Sequence, residues 1–397
     1  MDTPAPTLDA TEQRELMRWR SAGLDELTGP EHGPGLAPPV GLLPRLDAVT
    51  ERIRSASAAF GVEVGVDGPA ELSARARALG LRRRGRVSCG GSCHLVRAAD
   101  GWFAVSLCRP DDWDLLPAWI DLPSDTSENW DRVHLRCEEL RRDELVGRGA
   151  LLGLPIGALP APLTHEAVQP AAAVQTLSVP RALEPGHHRT RTERGEPLRV
   201  ADLSSMWAGP LCGSVLAAAG AQVIKVESTT RPDGLRRGAP SEYERLNARK
   251  ASRFVDLASE QGRNELLAVL RSVDVVIESS RPRALRQLGI HAEELLAAPD
   301  GPALWVSITG HGRHGDAAQR VAFGDDAAVA GGLVAWWQGE PVFCADAIAD
   351  PLTGLSAAAA TLEALGGPAP VLLDVAMSRV GAHFAGRQVV LTSPTRR

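Results

Sequence analysis

Between residues 198 and 375, short apolar runs alternate with helical patterns, and this alternation limits the fold more than any other feature of the chain. Residues 198–203, 222–226, 253–257, 274–277 and 303–308 read as strands, and 208–219, 259–273 and 282–288 as the helices between them. A strand, a crossover helix and a further strand give parallel pairing with helices on both faces. The expected fold is α/β, a doubly wound parallel Rossmann-like sheet over residues 197–397, with later helices near 325–337 and 351–365 and a further buried strand at 371–375. Sheets of this kind bind ligands beyond the carboxyl ends of their strands.

The first half reads differently. Residues 1–80 form a Pro/Gly-rich N-terminal segment with helices expected over 12–27, 46–60 and 71–79, the last stopped by Gly80. Residues 81–160 read as a smaller α+β domain, with a hairpin of 94–97 and 102–108 and helices over 111–122 and 130–152. Residues 161–196 have little periodicity and read as a linker, in which His187 and His188 need no function. There is a weak internal echo: Ala22-Gly23-Leu24 and the segment after it look like Gly331-Gly332-Leu333 and the Asp350-Pro351-Leu352-Thr353 helix.

A net charge of -6 argues against a nucleic-acid partner, and the basic run Arg82-Arg83-Arg84-Gly85-Arg86 reads first as a solvated turn. No run of eighteen apolar residues suggests a membrane span, and no signal peptide is apparent. Six scattered cysteines fit reduced thiols in a cytoplasm. Cys89, Cys93 and His94 lack a second ligand pair, so no metal site is expected.

Several residues could carry chemistry. The turn from Ser204 to Pro210 lacks the dinucleotide glycine fingerprint, yet Ala208 and Gly209 open a helix N-terminus that a ligand could approach. His311 and His314 follow a strand end, and Asp325 and Asp326 could form a carboxylate pair or complement a helix start. Asp350, before Pro351 and a small-residue helix, reads from spacing alone as an N-cap. The other reading makes it a nucleophile facing a thioester.

Six ordered motifs from residue 198 onward resemble the class III CoA-transferases, the CaiB/BaiF family that includes formyl-CoA transferase. They are Val200-Ala201-Asp202-Leu203 with Ala208-Gly209-Pro210, Gly220 to Glu227, Asn247 to Leu257, Asp274 to Gly289, Ser307 to Gly312, and Ala349-Asp350 with Gly354. The resemblance implies that Asp350 is the nucleophile. It also implies that CoA is met by Trp207, Ala208, Ser228, Val255, Ser279, Ser280, Arg281 and Arg286. Gly90-Gly91, with the strand around Trp102, resembles the glycine loop of the family's small domain. Here that domain comes before the core, as in part of a two-unit transferase whose first core, within residues 1–80, has decayed.

The implied activity moves CoA between an acyl-CoA and a free carboxylic acid through an aspartyl-CoA thioester, with no metal or redox cofactor. A homodimer or a complex with a related subunit is the expected assembly. Ser228, Ala258 and Gln287 depart from the family's phosphate contacts, for which Arg281, Arg283 and Arg286 could substitute. Two alternatives stay open: a 2-methylacyl-CoA racemase-like enzyme, against which Phe323-Gly324 argues, and a non-catalytic CoA-binding partner subunit.

Overall fold

A computed structural model describes residues 9–123, 129–161, 172–178, 196–367 and 370–385. Most of the expected linker, His187 and His188 included, lies outside the described residues.

The strands are β1 (Cys93–Ala98), β2 (Gly101–Ser106), β3 (Ile156–Ala158), β4 (Gln175–Ser178), β5 (Arg199–Asp202), β6 (Gln222–Ser228) and β7 (Ala251–Val255). They continue with β8 (Val275–Glu278), β9 (Leu304–Thr309), β10 (Ala335–Trp337), β11 (Glu340–Val342) and β12 (Val371–Ala376). Seven of them form one sheet in the order β4-β12-β9-β8-β5-β6-β7. Every pairing in it is parallel except that of β4 with β12. Strand order reverses between β5 and β8, which opens a crevice at their carboxyl ends. This is the doubly wound sheet expected from the strand–helix alternation.

The middle of the sheet, β12, β9 and β8, is buried because those strands are apolar on both faces. Val275 and Ile277 pack with one core layer and Val276, between them, with the other. The first layer holds the helices Leu42–Ala58, Ala208–Ala218 and Ala349–Ala364, and the second holds Glu260–Arg271 and Ala292–Ala297. The N-terminal helices therefore share a core with the sheet. Among them, Gly68–Leu79 stops at Gly80, which takes a left-handed φ of 67° as a C-cap.

The smaller unit has an antiparallel sheet, β1-β2-β3, packed on the helices Trp130–Glu138 and Arg142–Leu152. Its other face lies against the helix Gly324–Ala330, where Leu95 and Ala104 meet Val329. The linker reading needs correcting at one place, since Gln175–Ser178 is a strand, and just ahead of the linker Ile156–Ala158 is a second unexpected strand. β3 has three residues and all four of β4 are exposed, so neither produces the alternation that marks a strand. The basic run is bonded rather than merely solvated: Arg83 donates to the carbonyls of Asp25, Pro30 and Gly33, and Arg86 pairs with Glu340 at 3.2 Å.

Candidate active site

Asp350 reaches its position through a tight turn. After β11 the chain passes through Ala345 and Ala347, both in the left-handed region at φ 55° and 43°. Such conformations cost alanine about 1–3 kcal/mol each and persist where the surroundings fix them. Here Thr28 Oγ1 accepts the Ala345 N–H at 2.9 Å, and Asp325 Oδ1 accepts that of Ala347 at 3.0 Å. The Asp350 N–H then donates to the Ala347 carbonyl at 2.8 Å. This turn starts the helix at Ala349 with Ile348 at the cap position. Asp350 therefore lies inside the first turn, and its reading as an N-cap is corrected.

Freed from capping, the carboxylate meets two other helix starts. A Cβ at Gly324 would collide with Asp350 Oδ2, so only glycine lets the two approach. Burial pushes the Asp350 carboxyl up to about 7; Arg75 opposes the shift, Asp346 adds to it, and the backbone N–H groups of Gly324 and Ala208 favour the charged form. Ala208 and Gly324 each begin a helix, so three helix N-termini converge on one carboxyl group that keeps part of its surface open. Their N–H groups form an environment suited to negative charge.

Two more carboxyl groups, Asp346 and Asp325, lie near it, and a third, Asp326, neighbours Asp325. Asp346 is fully buried and held by Arg75 in a two-pronged pair, Nε to Oδ2 at 2.9 Å and Nη2 to Oδ1 at 3.0 Å. Burial and then Asp346 raise Asp325 to about 7. Asp326 is raised to about 8, chiefly by burial, although its Oδ1 accepts from the Phe323 N–H and from Ser106 Oγ.

The loop leading to Ala208 is held by the chain's two lysines, both buried. Lys250 Nζ donates to Asp202 Oδ2 and the Pro210 carbonyl at 2.7 Å each, and Lys225 donates to the Ser204 carbonyl and to Asp233. Asp233 in turn accepts the N–H of Met206, a residue with φ 69°.

Most of the residues expected to meet CoA lie at or just beyond the carboxyl ends of the strands, while Arg286 lies within the helix Pro282–Gln287. The Ser205 N–H donates to Ser279 Oγ at 3.0 Å across the crevice between β5 and β8. Ser280 bonds back to Glu278, and Arg281 stands at the N-cap position of the helix Pro282–Gln287 without a capping hydrogen bond from its side chain. Arg281 is exposed, and burial together with Arg283, Arg109 and Arg231 lowers its pKa, which marks a concentration of positive charge. Ser228 and Val255 end β6 and β7; Ser228 pairs with Thr230, and Val255 is buried. Arg286 turns to Glu293 at 3.4 Å. Trp207 is buried beneath Arg75, whose guanidinium lies 5.6 Å from its ring centre.

The Gly90-Gly91 loop lies against the Asp346 turn. Cys89 Sγ is 3.7 Å from the Ala345 carbonyl, and a Cβ on Gly90 would lie 3.4 Å from Arg75 Nη2. His94 stacks on Trp130 at 3.6 Å and faces His134, and no group of three or more metal-ligating side chains occurs among the described residues. Burial pushes the partly buried His311 down to about 3, and His314 is exposed. Arg75, Asp346 and Ser106 gave no signal as site residues in the sequence. Arg75 is 271 residues from its partner, on a helix with no motif.

The sequence profile described as CoA-transferase family III matches residues 196–394. Succinyl-CoA--D-citramalate CoA-transferase of Chloroflexus aurantiacus is 32% identical over 145 residues, which covers 35% of this chain and 36% of that protein. A probable CoA-transferase of Mycobacterium tuberculosis, Rv1866, is 23% identical over 329 residues, 67% of this chain and 41% of its own. A solved CaiB/BaiF family protein from Brucella suis aligns at 29% identity with a TM-score of 0.42, covering 47% of this chain and 53% of that one. The chain spans roughly 36% to 41% of the length of these two curated relatives. With half of its length matched by the profile, the chain belongs to CoA-transferase family III.

Proposed function

We propose that the chain transfers CoA from an acyl-CoA to a free carboxylic acid, with Asp350 as the covalent nucleophile. The observation that supports this most is the convergence of three helix N-termini on that carboxylate. A carboxylate oxygen attacks the thioester carbon, the C–S bond breaks, and an aspartyl mixed anhydride and CoA thiolate result. The N–H groups of Ala208 and Gly324 are the donors that face the reacting carboxylate and the charge developing on oxygen. The thiolate attacks the Asp350 carbonyl, releasing the first acid and leaving an aspartyl-CoA thioester. The acceptor carboxylate then takes CoA by the same steps in reverse. Charge is conserved at every step, and no metal or redox group takes part.

On this reading the phosphates of CoA lie near Arg281, with Trp207, Ala208, Ser279 and Ser280 along the crevice. The assembly is a homodimer or a complex with a related subunit, and the compartment is the cytoplasm, where acyl-CoA is available. Incubation with acyl-CoAs and hydroxylamine should convert Asp350 to a hydroxamate, detected by peptide mass spectrometry. Asp350→Asn should lose the adduct and at least about 10³-fold in turnover. Full activity of Asp350→Asn would overturn the proposal, and exchange of the α-proton without acid exchange would favour the racemase chemistry instead.

A further inference from the structure

We infer that Arg75, which lies ahead of the segment matched by the family profile, is a positioning residue for Asp350: it locks the 345–348 turn and supplies the cation that faces the carboxylate cluster. This rests on Asp350 being the nucleophile.

The geometry that carries it is a junction of three pieces. The Arg75 guanidinium grips Asp346 with both prongs, lies over the Trp207 ring, and has Gly90 against its Nη2. Asp346 lies between the two strained alanines of the turn that delivers Asp350. Trp207 is the residue before Ala208, whose N–H faces Asp350. One planar group thus links the turn, a helix start and the glycine loop. A lysine could supply the charge but not the two-pronged grip.

The charged groups around Asp350 come from four elements. Asp325 lies on the helix Gly324–Ala330, Asp346 on the turn, and Arg75 on the helix Gly68–Leu79. Glu242, on the helix Pro240–Asn247, acts on Asp346 from behind, and Arg245 ties Glu242 to Glu71, one turn before Arg75. Three carboxyl groups therefore share the field of one guanidinium. Its loss leaves Asp346 and Asp350 repelling each other, so less of the nucleophile is ionised at neutral pH.

The test reads ionisation apart from turnover. Carboxyl carbons of ¹³C-aspartate-labelled full chain are titrated by NMR, with the Asp350 resonance assigned by its loss in D350N. Hydroxylamine-trapped adduct is followed against pH in parallel. R75Q is expected to raise the Asp350 midpoint by about one pH unit or more and cut adduct formation at pH 6 about tenfold. R75K is expected to keep the midpoint near wild type while lowering kcat with little change in KM, because charge survives and grip does not. D346N, which removes the repelling neighbour, is expected to lower the midpoint, and it carries the test if R75Q does not fold. Midpoints unchanged within about 0.3 unit in both R75Q and D346N would overturn the inference. If the midpoints move but wild type gives no adduct, the nucleophile reading fails instead.

Discussion

Asp326 is a fully buried carboxyl group whose Oδ2 has no hydrogen-bond partner, and this has a consequence for stability. Burial raises it to about 8, whereas an unfolded aspartate titrates near ~3.9. Between those values the folded chain holds a proton that the unfolded chain has released. The contribution of Asp326 to stability therefore falls as pH rises from about 4 to about 8 and is flat on either side. Asparagine resembles the protonated acid and keeps an acceptor for the Phe323 N–H and Ser106. Asp326→Asn should raise Tm by a few degrees at pH 8, with the gain vanishing by pH 4. Thermal melts at pH 4, 6 and 8 check this, and a gain independent of pH would refute it. Legibility at this scale depended on local order. Asp350 lies among motifs that the sequence spells out in a row. The groups that set its charge, Arg75 and Asp346, meet only in the folded chain, and a cation 271 residues from its partner leaves no pattern.

Among the elements, the helix Ala349–Ala364 does the most to position the site, and its small residues explain how. It is buried along nearly its whole length between the helices Ala208–Ala218 and Leu42–Ala58. At the first crossing a Cβ on Gly354 would lie 2.6 Å from the Ala208 carbonyl oxygen and 2.9 Å from Leu211 Cβ. A carbonyl cannot yield as a side-chain tip can, so the helices must separate. Gly354→Ala should cost about 1–3 kcal/mol of stability and move Asp350 away from the Ala208 N–H. Urea denaturation measures the first effect and adduct formation the second; wild-type values of both would refute this packing. Periodicity revealed the long buried elements and failed where they break. The helix expected over 325–337 ends at Ala330, where Gly332 at φ 81° redirects the chain into β10, and Gln338 and Gly339, at φ 52° and 84°, turn β10 back into β11. The helix expected over 130–152 is two, Trp130–Glu138 and Arg142–Leu152, because Asp100 accepts the Arg142 N–H and the second piece begins there.

At the scale of the molecule, residues 9–80 belong to the main core. Trp19, Leu24, Leu42, Leu43, Leu46, Ile53 and Leu72 are fully buried in the same cluster as Leu352 and Leu355. The internal echo has a structural counterpart here. Leu24 N–H bonds to the Trp19 carbonyl and Leu333 N–H to that of Ala328, each beyond a positive-φ glycine, so both segments end their helices with the same cap. The helices that follow the two caps pack on each other, joined at their rim by Arg52 and Glu363 at 2.5 Å. That pair is half exposed, so Arg52→Ala should cost under about 1 kcal/mol. The buried side chains are a different matter. At about 1.5–3 kcal/mol each, seven of them contribute on the order of 10–20 kcal/mol, as much as a whole domain's stability. A chain starting at residue 81 should therefore lack cooperative unfolding and near-ultraviolet circular dichroism, whereas Arg52→Ala keeps both. A cooperative transition in the shortened chain would show that the sheet and the Asp350 helix fold without the segment that delivers Arg75.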